Sequence, residues 1–190
     1  MSVVEQIDGR RARADANRRR IAEAMIELVR EGEVSPSADQ VAERAGVGRR
    51  TVFRLFDDME GVYREIHTLM AVQLAPMFLE PFASTTWREK LDEIVDRRAK
   101  MFEIMLPVKS VADMRRPASP FLQKEHEKLT QMQRKTLRAV LPERVAAQKL
   151  DALDLALSFE SWRRLRREQK LSPKQAAAVV RQLAAALVDY

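Results

Sequence analysis

Apolar positions in this chain recur with helical spacing, not with the alternation of strands. Ile21, Ala24, Met25, Leu28 and Val29 follow i, i+3, i+4, i+7, i+8 and predict a helix over residues 15–30, closed by Gly32. Pro36 disfavours helix in the residue before it, and Ser37-Ala38-Asp39-Gln40 has the capping-box pattern. A short helix over residues 38–45 follows, with Val41, Ala42 and Ala45 inward and Gly46 as its stop. A third helix over residues 48–55 has Val47, Val52 and Phe56 as core contacts. Asp57-Asp58 starts a fourth, which carries Val62, Ile66, Leu69, Met70 and Leu74 and is expected to end before Pro76.

Past the break at residues 76–81 the pattern resumes. Trp87, Leu91, Ile94, Val95, Phe102 and Met105 mark a helix over residues 86–106, and Pro107, Pro117 and Pro120 bound a short irregular element. A long helix over residues 120–140 ends at Pro142. Residues 143–169, with Leu150, Leu153, Leu157, Phe159, Trp162 and Leu165, read as one helix. Ser172-Pro173 caps the last, which carries Ala176, Val180, Leu183, Ala184 and Leu187. Residues 1–14 read as a flexible basic arm.

Composition agrees with an all-α chain. Five glycines and two tyrosines among 190 residues are few for the turns and strands of a β-protein. The 46% of hydrophobic residues is too much for disorder. With no cysteine there is no disulfide, thiolate metal site or cysteine nucleophile, which fits a reducing compartment. No apolar signal core opens the chain and no stretch approaches the roughly 20 apolar residues that span a bilayer, so a cytoplasmic location without membrane insertion is expected. Neither histidine has a second at metal-ligand spacing, and no phosphate-loop or nucleophile-elbow motif occurs. No cofactor, metal or enzymatic activity is expected.

The net charge of +6 matters less than its placement. Arg10, Arg11, Arg13, Arg18, Arg19 and Arg20 face one acid, Asp15; Arg49, Arg50 and Arg54 form a second group; Arg163, Arg164, Arg166, Arg167, Lys170 and Lys174 form a third, read as a solvated face or dimer edge. Residues 1–60 carry 11 basic and 12 acidic groups, so any nucleic-acid contact is a patch and not a uniformly basic domain. In residues 37–56 two short helices join through Ala45-Gly46-Val47, the arrangement of a helix-turn-helix. The second helix of such a unit enters the major groove by its N-terminal residues, here Gly48, Arg49 and Arg50, and arginine matches guanine O6 and N7 with two parallel hydrogen bonds.

These residues carry a resemblance. Residues 20–63 resemble the N-terminal domain of the TetR (tetracycline-repressor) family at Ile21, Ala24, Gly32, Ser37, Val41-Ala42-Glu43-Arg44-Ala45-Gly46-Val47 and Thr51-Val52-Phe53-Arg54-Leu55-Phe56. Phe53, Leu55 and Met59 stand where that family often has Tyr, His and Lys, which removes three polar DNA contacts. The rest of the chain matches in helix count, and residues 159–170 resemble the penultimate helix of some members.

The resemblance implies a homodimeric, ligand-responsive, sequence-specific DNA-binding regulator, a repressor. Its expected form is all-α with about nine helices. Residues 1–56 are the arm and helix-turn-helix DNA-binding domain, and residues 57–190 the effector-binding and dimerisation domain. Its expected partners are a double-stranded DNA operator, a second copy of the chain and a small-molecule effector, with no membrane. The DNA-contacting residues are then Ser37, Arg49, Arg50, Thr51, Phe53 and Arg54. Met101, Phe102, Met105, Phe121, His126 and Met132 are candidates to line an effector cavity, with Met77, Phe78 and Phe82 beside them; each also suits ordinary core. Arg98, Glu125 and His126 fall on or beside apolar stripes, to orient a ligand or to sit in a buried ion pair. Leu153, Leu157, Trp162, Val180, Leu183 and Leu187 are expected at a dimer interface. The competing reading is an all-helical interaction module that uses its basic patches on proteins or anionic lipids.

Overall fold

The computed structural model describes residues 3–189, with the side chains of residue 9 and of residues 11–189; its regular backbone is helical, and no strand occurs among the described residues. Contacts sort the chain into two compact units: Met1–Ala75 with Pro107–Leu122, and Pro76–Leu106 with Gln123–Tyr190.

In the first unit, α1 (Val3–Arg30) packs against α2 (Ala38–Arg44) and α3 (Arg49–Leu55), and α4 (Met59–Leu79) follows. The periodic stripe of α1 does what its spacing predicts: Ile21 and Met25 are fully buried with Val41, Val52, Phe56 and Val62. The expected flexible arm is corrected over residues 3–14, which extend α1; Arg and Ala there are strong helix formers. The Arg10 side chain lies outside the described residues. Ser37 caps α2 as a full capping box, with its Oγ accepting from Gln40 N at 3.2 Å and Gln40 Oε1 accepting from Ser37 N at 2.8 Å. Arg44 ties α2 to α1 by a bidentate pair to Glu31 at 2.8 and 2.6 Å, and that hydrogen bond holds the Glu31 carboxyl below the usual range.

Two prolines do not end helices. α4 runs through Pro76, and α5 (Trp87–Arg115) runs through Pro107, so the irregular element shrinks to a 3-10 turn at Arg116–Ala118. Pro76 has no N–H to donate to the Val72 carbonyl one turn before it, and Val72 is 69% exposed, a position open to solvent. Beyond Pro107, burial of Val111 and the Lys109–Asp113 pair at 2.9 Å favour continuation.

The second unit takes in most of α5, then α6 (Pro120–Val140), α7 (Glu143–Ala156), α8 (Phe159–Arg163) and α9 (Pro173–Asp189). The single helix expected over residues 143–169 is broken at Ser158. This residue takes extended angles (φ −79°, ψ 159°), accepts from Ser161 N and restarts the chain as α8. α8 then widens into a π-helical turn at Arg164–Glu168. Glu103 organises that turn, accepting from Trp162 Nε1 at 2.8 Å and from Arg166 Nε at 2.7 Å, while Arg166 Nη1 donates to the Leu171 carbonyl. Burial pushes the Glu103 carboxyl up, but the hydrogen bonds from Arg166 and Trp162, together with the charges of Arg166 and Arg167, outweigh it and hold the carboxyl below its ordinary range.

Candidate nucleic-acid interface and ligand cavity

α3 has one buried and one open face. Val52, Leu55 and Phe56, at i, i+3, i+4, are buried. Arg49, Arg50, Phe53 and Arg54 are exposed and Thr51 is half-buried. The six expected DNA-contacting residues therefore divide by role. Arg49, Arg50 and Arg54 present guanidinium groups outward, Phe53 is 44% exposed, Thr51 lies at the edge of the face, and Ser37 caps α2. Arg49 is held: its Nη1 donates to Asp39 Oδ2 at 3.0 Å, and its guanidinium lies 5.5 Å from the Phe53 ring centroid. Leu55 is apolar because it packs into the head, so its position is not available for a polar DNA contact.

The turn before α3 depends on Gly46, whose φ of +63° is the left-handed region. Arg20 Nη2 donates to the Ala45 carbonyl there at 2.6 Å, and the Arg18 guanidinium lies 4.9 Å from the Phe56 ring centroid. Sequence reasoning grouped Arg18 and Arg20 with the basic arm. Their register beside Ile21 and Ala22, at the edge of the buried stripe, was the available signal. Arg11, Arg13 and Arg19 are exposed on α1.

The second unit has a partly open cavity of about 80 Å³ lined by Met77, Phe78, Glu80, Phe82, Ile94, Arg97, Arg98, Met101, Gln133 and Thr136. A single water needs roughly 10–15 Å³ on this scale, so the space suits a small organic molecule. Arg97 shapes one side: it donates to the Glu80 and Pro81 carbonyls, pairs with Glu93 at 3.2 Å and lies over the Phe82 ring. Arg98 is 6% exposed. It donates through Nη1 to the Leu157 carbonyl at 2.8 Å and through Nη2 to the Gln133 carbonyl at 2.7 Å. Burial lowers its pKa to about 10, partly opposed by Asp154, so it stays protonated at neutral pH. Gln133 is buried, and its Nε2 has no hydrogen-bond partner among the described residues.

Of the six residues expected to line a cavity, Met101 alone does. Phe102 instead packs edge-on to Phe159 with ring centroids 5.6 Å apart, and beside Trp162. Met105 is buried in core. Phe121 belongs to the first unit, edge-on to His67 at 5.6 Å and under the Arg64 guanidinium. His126 is half-buried and Met132 is 38% exposed, both away from the lining. The apolar stripes of these helices face several neighbours, and only one side of each meets the cavity. Glu125 pairs with Lys128 at 2.5 Å.

The expected interface residues also divide. Leu153, Leu157, Trp162 and Val180 are buried in the chain's own core. α7 and α9 pack on each other through that stripe. The exposed apolar positions of the pair are Leu155 at 69% and Leu183 at 47%, with Leu187 half-buried. In the third basic cluster Arg166 is bound to Glu103, while Arg163, Arg164, Arg167, Lys170 and Lys174 are exposed.

An all-helical chain with a helix-turn-helix head is the architecture of many DNA-binding regulators. Two solved structures share it across nearly the whole length. One is a transcriptional regulator from Rhodococcus sp. RHA1, 16% identical, aligned over 90% of this chain and 96% of its own with a TM-score of 0.72. The other is a TetR transcriptional regulator from Rhodococcus sp. RHA1, 19% identical over the same shares with a TM-score of 0.53. At these identities the likeness establishes a common fold. No protein-family model and no curated protein matches the chain. No helix among the described residues is long and apolar enough to cross a membrane.

Proposed function

We propose that this chain is a TetR-type transcriptional regulator, a homodimeric repressor that binds a specific DNA sequence and is released by a small-molecule effector. In this reading residues 1–56 form the DNA-reading head, and residues 57–190 bind the effector and the second copy. The carrying observation is the open face of α3, with Arg49, Arg50 and Arg54 outward over a buried Val52 and Leu55. A rigid short helix that projects guanidinium groups from a helix-turn-helix suits the major groove. Thr51 and Ser37 hydroxyls suit phosphate oxygens, and the Phe53 ring suits sugar or a thymine methyl.

A two-fold dimer presents two such helices, which must sit about 34–36 Å apart to meet successive major grooves. Leu155, Leu183 and Leu187 supply the apolar surface for that dimer. An effector that binds better to a dimer of another spacing lowers DNA affinity by that difference in binding free energy.

The test is a gel shift with duplex DNA that flanks the protein's own gene, at two salt concentrations. Specific binding with a steep salt slope is expected, and Arg49→Ala and Arg50→Ala are each expected to weaken it by about 1–3 kcal/mol. Equal binding to every sequence, together with association to anionic vesicles, would favour an interaction module instead.

A further inference from the structure

The cavity of the second unit holds a buried cation. Arg98 has no carboxylate within ion-pair distance among the described residues; Asp154 favours its charge only through space and is itself paired with Arg134 at 3.5 Å. The two partners it does have, the Leu157 and Gln133 carbonyls, are neutral. They occupy two of five guanidinium N–H donors and leave the positive charge in place. A buried cation is costly unless an anion or several dipoles offset it. A second polar group lines the same cavity: Gln133 is 8% exposed, and its amide nitrogen is a buried donor with no acceptor among the described residues. Leaving a buried donor unmade has a desolvation cost of its own. The same lining carries apolar, adaptable side chains, Met77, Phe78, Phe82 and Met101, beside the polar Glu80, Arg97 and Thr136.

A cation and a spare N–H donor in one cavity with thioether and aromatic surface describe the complement of an amphipathic acid. We propose that this cavity binds a small apolar carboxylic acid as its anion, with the carboxylate against Arg98 and Gln133 and the hydrocarbon body against Met77, Phe78 and Phe82. This deepens, and rests on, the effector reading above. It also explains why Arg97 does not serve: its donors hold the Glu80 and Pro81 carbonyls and the Glu93 carboxylate, so its charge is already matched.

The experiment is isothermal titration calorimetry of the full chain with two acids, benzoate and hexanoate, and their neutral counterparts, benzamide and hexanamide. At least one acid should bind about tenfold or more tightly than its amide, as expected for charge-assisted hydrogen bonds. Arg98→Met should abolish that preference and Arg98→Lys should retain part of it. A residue that only braced α5 against its neighbours would change affinity for acid and amide alike. Circular dichroism checks that the variants fold. If Arg98→Met does not fold, Gln133→Leu decides: it keeps the volume and removes the spare donor, and should weaken acid binding by more than amide binding, because the amide carbonyl accepts a weaker, uncharged hydrogen bond from it. Equal binding of acid and amide, unchanged acid binding in Arg98→Met or in Gln133→Leu, or no binding by any of the four compounds would overturn the proposal. A gel shift with the bound acid separates this proposal from the regulatory one. Acid binding that leaves DNA affinity unchanged sinks effector release alone, whereas DNA binding without acid binding sinks the ligand class alone.

Discussion

Gly46 offers a sharp test of how the head is built. Its φ of +63° lies where L side chains are strained, and an alanine Cβ there would stand 3.2 Å from Arg20 Nη2. Two costs follow for Gly46→Ala. The left-handed backbone costs about 1–2 kcal/mol. The crowding makes the Arg20 guanidinium give way slightly and weakens its 2.6 Å charge-assisted bond to the Ala45 carbonyl, by up to about 1 kcal/mol. Each kcal/mol of this cost should lower the thermal midpoint of Gly46→Ala by about 2–4 °C at this length. In an Arg20→Ala background Gly46→Ala should cost less, and the difference is a double-mutant coupling between Gly46 and Arg20. Asn tolerates the left-handed region, so Gly46→Asn should be milder in backbone strain. Equal costs of Gly46→Ala with and without Arg20 would refute the clamp, and no cost in either background would refute the left-handed turn itself.

Other perturbations report on the remaining parts. Asp39→Asn frees Arg49 from an exposed pair worth about 0–1 kcal/mol and removes a negative charge beside the DNA-facing surface; DNA affinity should rise at low salt, as a titration would register. Leu153→Ala should cost about 2–5 kcal/mol in chemical denaturation because the residue is fully buried in its own chain. Leu183→Glu should instead shift sedimentation toward the monomer with helix content retained, and a chain that stays dimeric would argue against that surface. Glu103→Gln tests the carboxylate that binds Arg166 and Trp162. A folded pKa held below the ordinary value contributes stability that is present above the ordinary carboxylate range and lost as pH falls through the folded pKa, so acid-induced unfolding of the variant should be less steep there.

The head was legible because its signals are local and agree with one another. The capping box at Ser37, the stop at Gly46 and the triplet Val52, Leu55 and Phe56 each act within a few residues, and each appears in the structure where its spacing places it. The misplaced boundaries share one cause. Pro76 and Pro107 are strong local breakers, yet what decides at such a position is whether the freed carbonyl finds water and whether the next turn buries enough. Neither is visible in a window of sequence. At Ser158 the error ran the other way, since an apolar stripe continued across a residue whose hydroxyl caps a new helix.

The cavity was less legible for a deeper reason. Helical periodicity says which side of a helix is apolar; it does not say what stands opposite. Phe102 and Met101 are consecutive, but one meets Phe159 and Trp162 while the other meets the cavity, and that choice is made by α8 more than fifty positions away. What the sequence did contain was the exception to the pattern. Arg98 stands on the α5 stripe four positions after Ile94, and Gln133 stands on the α6 stripe four before Leu137, so both are polar in a register that otherwise carries buried apolar groups. A polar residue in a buried register must be satisfied by its own chain or by something that binds. For Arg98 the described residues supply two carbonyls and the through-space charge of Asp154, and for the Gln133 amide nitrogen they supply no partner. The interruption of a stripe was therefore a better pointer to a ligand than its methionines and phenylalanines, because an apolar residue is content in any core whereas an unmatched donor is not.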